Sequence, residues 1–111
     1  MTDFKVFKKE FQKAVKAYRD TLPNATRLGL AGGTREVRPE YPKAMLTAKQ
    51  AEKRTATVKL GQWGNYSDKL NKRVEDLMAF IPFRDWCYQY GVTVCGVERD
   101  SWGGASLRLR F

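Results

Sequence analysis

Apolar and aromatic side chains recur at helical spacing along residues 2–22, TDFKVFKKEFQKAVKAYRDTL: Phe4, Phe7, Phe11, Val15, Tyr18 and Leu22. Steps of three or four residues return a side chain to the same side of an α-helix. These residues fill an arc of about 100°, a face that a second layer must cover. Thr2 suits the N-cap, Asp3 the first turn, and Pro23 ends the helix. The rest of the chain therefore has to supply a surface for this helix to dock on.

The far end supplies one. Residues 106–111, SLRLRF, alternate strictly, with Leu107, Leu109 and Phe111 on one face and Ser106, Arg108 and Arg110 on the other. That is a strand with one side on a core and one side facing water or a partner. Residues 55–63, TATVKLGQW, alternate in the same way, with Ala56, Val58 and Leu60 inward and Thr57 and Lys59 outward. Residues 92–97 are apolar on both faces, which predicts a central strand, and residues 98–105 form the loop of a C-terminal β-hairpin. Leu28 and Leu30 before Gly32-Gly33 predict a short hairpin over 25–38, and Pro39 and Pro42 mark an irregular crossing.

Helical patterns fill the remainder. Thr47 and Gln50 match a capping box for a short helix over 48–54. Ser67 caps a helix whose core face is Leu70, Val74, Leu77, Met78 and Ile81. Pro82 opens or breaks the next one, whose apolar face is Phe83, Trp86, Cys87 and Tyr90 and which Gly91 ends. The predicted fold class is α+β: a small, mostly antiparallel sheet with about three helices on one face, an N-terminal amphipathic helix and a C-terminal β-hairpin. At 111 residues the chain is expected to be a single compact domain, 1–111.

Several classes of function fall away. There is no histidine, the commonest general base and a common metal ligand. The cysteines, Cys87 and Cys95, are too few for a disulfide scaffold and without histidine do not close a zinc site. Both are expected to be small buried hydrophobes. The glycine-rich GLAGGTR at 29–35 lacks the spacing of a phosphate-binding loop, and Glu75 and Asp76 are adjacent, so they point to different sides of a helix. No catalytic residue, metal site or cofactor is assigned, and an enzyme is not expected. No apolar stretch is long enough to span a membrane and no secretory signal is evident, so the expected setting is cytoplasmic with reduced thiols.

Charge carries the rest. The chain holds 21 Lys and Arg against 12 Asp and Glu, a net charge of +9. Such an excess repels itself unless an anionic partner relieves it. On the first helix Lys5, Lys8, Lys9, Lys13, Lys16 and Arg19 fill an arc of about 140°, with only Asp20 among them. A solvated face kept for solubility leaves the same pattern, and a basic amphipathic helix also suits an anionic membrane. The membrane reading would take the phenylalanines away from a core that needs them. The helix starting at Ser67 is different, because Asp68, Lys72 and Asp76 neutralise one another at i, i+4. Residues 23–64 are basic again, with Arg27, Arg35, Arg38, Lys43, Lys49, Lys53, Arg54 and Lys59 against Glu36, Glu40 and Glu52.

Trp63 in GQWGNY and Trp102 in SWGG sit in glycine loops near basic residues, where a projected ring can stack on a base. Either ring can instead fold back over the core. The leading expectation is a small non-enzymatic nucleic-acid-binding protein that grips phosphates with little sequence reading. Its phosphate contacts would be Lys5, Lys8, Lys9, Lys13, Lys16 and Arg19, with Arg108 and Arg110 second and Trp63 and Trp102 stacking. The alternative is a basic inhibitor or adaptor, of the kind viruses encode for host takeover or anti-defence, docking on an acidic or nucleic-acid-binding protein surface. A closing strand at the sheet edge would also let two copies pair.

Overall fold

A computed structural model describes residues 4–28, 32–63 and 67–111, with the side chains of residues 25–28 and 67 outside that description. The caps assigned to Thr2 and Ser67, the first-turn Asp3 and the alternation through Leu30 fall outside the described residues or side chains. The fold is α+β. Among the described residues the elements run α1 (Phe4–Arg19), β1 (Ala25–Leu28), β2 (Thr34–Val37), β3 (Lys43–Met45), α2 (Ala48–Glu52), β4 (Thr55–Gln62), α3 (Ser67–Ala79), α4 (Ile81–Tyr90), β5 (Thr93–Arg99) and β6 (Gly104–Arg110). β1 and β2 form a separate antiparallel hairpin, and the remaining strands make an antiparallel sheet in the order β3-β4-β6-β5.

Alternation places the core. Ala56, Val58 and Leu60 of β4 and Ala105, Leu107 and Leu109 of β6 are buried on one face of the sheet. They meet Phe7, Phe11, Ala14, Val15 and Tyr18 of α1, Leu70 and Leu77 of α3, and Phe83 and Trp86 of α4. Trp86 sits at the centre, stacked on Phe11 at 4.6 Å and 5.1 Å from Phe7, while Phe111 packs 4.7 Å from Phe7. Each fully buried side chain of this size contributes about 1.5–3 kcal/mol.

Caps and turns follow the sequence closely. The Thr47 hydroxyl accepts the Gln50 N–H at 3.2 Å, and the Gln50 side chain accepts the Thr47 N–H at 2.9 Å, completing the capping box. Gly91 ends α4. Arg54 Nε donates to the Phe111 carbonyl at 2.9 Å, and the Phe111 N–H donates back to the Arg54 carbonyl, tying β6 to the start of β4.

Other expectations are corrected. β6 is an interior strand, paired with β4 on one side and β5 on the other, so the closing strand offers no free edge for a second copy. β5 is the edge strand instead of a central one, with Val97 and Cys95 exposed. Cys95 is therefore no buried hydrophobe, although Cys87 packs against the core. α1 stops at Arg19, where the Thr21 hydroxyl donates to the Tyr18 carbonyl at 2.6 Å, ahead of Pro23. Phe4 and Ile81, the first residues of α1 and α4, are exposed, and so is Met78, which one residue step turns about 100° around α3 from the fully buried Leu77. No helix among the described residues is long and apolar enough to cross a membrane.

Candidate nucleic-acid interface

Packing α1 on the sheet turns its opposite side to solvent. Lys5, Lys9, Lys13 and Lys16 are exposed there, with Lys8 and Arg19 half-buried beside them. Glu10, the acidic residue within the helix, falls outside the lysine arc by its position, and its carboxylate accepts a hydrogen bond from the Tyr90 hydroxyl of α4. That bond raises the Tyr90 pKa above its ordinary value. Among the described acidic residues Asp20 reaches the stripe, 3.9 Å from Lys16. Both side chains of that pair are exposed, so it is worth little. At the end of the helix Lys16 and Arg19 join Arg38 in lining a cleft of about 530 Å³, and Arg19 Nη1 lies 3.5 Å from the Pro42 carbonyl, at the limit of hydrogen bonding.

Arg108 and Arg110 stand elsewhere, on the sheet face turned away from α1, α3 and α4, as the alternation of β6 requires. The β4–β6 register sets Thr57 beside Arg108, Lys59 beside Ser106 and Thr55 beside Arg110. Arg108 is paired with Glu98 of β5 at 3.2 Å, and Arg110 is exposed. The predicted contacts thus divide between opposite sides of the molecule: the α1 residues on one, Arg108 and Arg110 on the other.

The two loop tryptophans part company. Trp63 is half-buried against the core, its indole N–H donates to the Leu60 carbonyl at 2.8 Å, and the Arg73 guanidinium lies 5.7 Å from its ring centroid. Trp102 is 84% exposed. Its loop is tightly built: the Asp100 carboxylate accepts the N–H groups of Trp102 and Gly104, both at 2.8 Å. A Cβ at Gly104 would lie 2.6 Å from Asp100 Oδ2, so glycine is what lets the carboxylate sit there. A ring held outward on an ordered turn loses little entropy when it meets a flat ligand.

The sheet face gathers basic residues of the 23–64 stretch that are not among the expected contacts. Lys43 of β3 sits directly opposite Lys59 of β4. Lys49 of α2 and Lys53, the residue that caps it, line with Thr57 and Arg108 a groove of about 310 Å³. Tyr41 lines with Lys59 and Ser106 a depression of about 110 Å³, its ring against Gly61. The outward setting of Thr57 and Lys59 is visible in the alternation of β4. What the sequence does not show is that β4 pairs with β6 and so brings these residues to Arg108.

Among the described residues, no group of three or more carboxylate and thiol side chains converges as a metal site would require. Comparison with protein-family models, with curated proteins and with solved structures finds no match for this chain.

Proposed function

We propose that this is a small, basic, non-enzymatic nucleic-acid-binding protein, acting in the cytoplasm, that holds the phosphate backbone with little sequence reading. The observation that carries this reading is the lysine side of α1, exposed along the helix while the helix's apolar side is consumed by the core and Glu10 is tied to Tyr90. Lysines so placed neutralise phosphates and release counterions, a sequence-independent source of affinity. The burial of Phe7 and Phe11 argues against α1 lying in a membrane surface, which would need those rings in lipid.

The test is the double variant K9E/K16E, with labelled single strands and duplexes followed by fluorescence anisotropy across a salt series. Affinity should fall, and the slope of log affinity against log salt should flatten by about one unit for each phosphate no longer neutralised. Wild-type affinity in the variant would remove α1 from the interface.

A basic inhibitor or adaptor docking on an acidic protein surface is the second reading. Exposed Trp102 favours it, because tryptophan is enriched among the anchors of protein interfaces. Capture of one stoichiometric protein partner from nuclease-treated lysate, together with no nucleic-acid affinity, would select it.

A further inference from the structure

We propose that the open face of the four-stranded sheet is a second anion-binding surface, a track for single-stranded nucleic acid distinct from α1. The inference rests on the nucleic-acid reading above and names where an unpaired strand would lie.

The first observation is a pair of like charges. Lys43 and Lys59 are cross-strand neighbours in the β3–β4 register, and both are exposed. Like charges directly opposite on a sheet destabilise it. The next residue along the row is Ser106 and the one after is Glu98, whose carboxylate is turned to Arg108 at 3.2 Å. The ion pairs among the described residues leave both lysines out, and an anion between them would relieve their repulsion. A phosphate seated there also receives the Ser106 hydroxyl from the same row.

The second observation is relief on an otherwise flat surface. α2 folds over this face, its Gln50 amide donating to the Thr57 hydroxyl at 3.2 Å. The groove beneath is flanked by Lys49, Lys53 and Arg108. The depression beside Tyr41 lies on the other side of Lys59. The groove with its cations, then the lysine pair, then the depression with its aromatic ring follow one another along β4, an order that matches a polyanion lying along this strand.

The third observation selects the kind of polyanion. The depression is also lined by Asp100, the residue that orders the hairpin carrying Trp102. Tyr41 is 39% exposed and Trp102 is 84% exposed. Both offer ring faces on which bases stack, and only unpaired bases have free faces. A duplex has no free base faces to lay on these rings, so this surface selects the single strand.

Anisotropy with labelled strands of about 20 nucleotides, single-stranded and duplex, separates this surface from α1. In K43E/K59E single-strand affinity should fall about tenfold or more near 0.1 M salt, with the salt slope reduced by about 1.4, the value for two single-strand phosphate contacts. Duplex affinity, carried by α1, should stay within about twofold, whereas K9E/K16E should weaken both forms. Trp102→Ala should cost a further fivefold or so on single strands alone. K43Q/K59Q, with thermal melting followed by circular dichroism, guards against a fold defect and should shift binding in the same direction by less. Wild-type single-strand affinity in both sheet variants would overturn the track and leave the nucleic-acid reading standing. A wild-type chain that binds neither form would overturn that reading and the track with it.

Discussion

Cys87 and Cys95 lie eight positions apart in the sequence and in opposite surroundings, and their chemistry should differ accordingly. Cys87 is half-buried against the core, and desolvation pushes its thiol up to about 11 from an ordinary value of 9.0. Cys95 is exposed on the edge strand, its thiol 3.8 Å from the Thr93 carbonyl. The thiolate is the reactive form, so at about pH 8 a thiol reagent should take up one equivalent quickly through Cys95 and a second only as the chain unfolds. Cys95→Ser should abolish the fast phase; a fast phase surviving in that variant would mean Cys87 is open. Cys87 also makes stability depend on pH. The folded chain holds its proton more tightly than the unfolded chain does, so that contribution is fully present below about 9 and is lost as pH rises through about 11. Urea unfolding between those values should show stability falling, and Cys87→Ala should flatten the decline.

β-bulges explain what alternation alone conceals at the level of the strands. In β5, Val94 pairs with Leu109 and Val97 with Leu107, and the register slips between them. Val94 and Val97 are thus both turned to the core side although three positions separate them, which makes the segment look apolar on both faces and imitates a central strand. A second slip lies between Lys59 and Gly61 in β4, on the other side of β6. The helices and the inward residues of β4 and β6 are legible because each keeps an unbroken period; the strand order and the lysine-rich sheet face are not, because both depend on the β4–β6 pairing of segments distant in sequence. Each slip carries a glycine at positive φ, Gly61 at 99° and Gly96 at 134°. An added Cβ at Gly96 meets nothing within 4 Å, whereas at Gly61 it comes 3.0 Å from the Tyr41 ring. Gly96→Ala should therefore cost about 1–3 kcal/mol from backbone strain alone. Gly61→Ala should cost more, and Tyr41→Ala in the same chain should remove the excess in urea denaturation. Equal costs at the two glycines would mean that the Tyr41 ring yields freely.

The net charge is +9, and two of its cationic groups, the lysine side of α1 and the open sheet face, stand on different sides of a body measuring 54 × 26 × 26 Å. The screening length is about 8 Å at physiological ionic strength, so repulsion acts mainly within each side and hardly between them. Stability should then rise with salt, because screening weakens the repulsion, while the ion pairs Lys16–Asp20, Lys72–Asp76 and Arg108–Glu98 are too exposed to lose much. The sharpest check is a single exchange. Lys43→Glu converts a like-charged cross-strand pair with Lys59 into an opposite-charged one and lowers the net charge from +9 to +7, since the exchange removes one positive and adds one negative charge. It should stabilise the fold by about 0.2–1 kcal/mol. The melting temperature should rise most at low salt, and the gain should shrink as salt is added. The same exchange should weaken single-strand binding, so stability and affinity move in opposite directions, as expected of residues kept for a partner at the expense of the fold. A variant that melts no higher than the parent at low salt would show that the two lysines do not strain the sheet, and their pairing would lose its force as a sign of an absent anion.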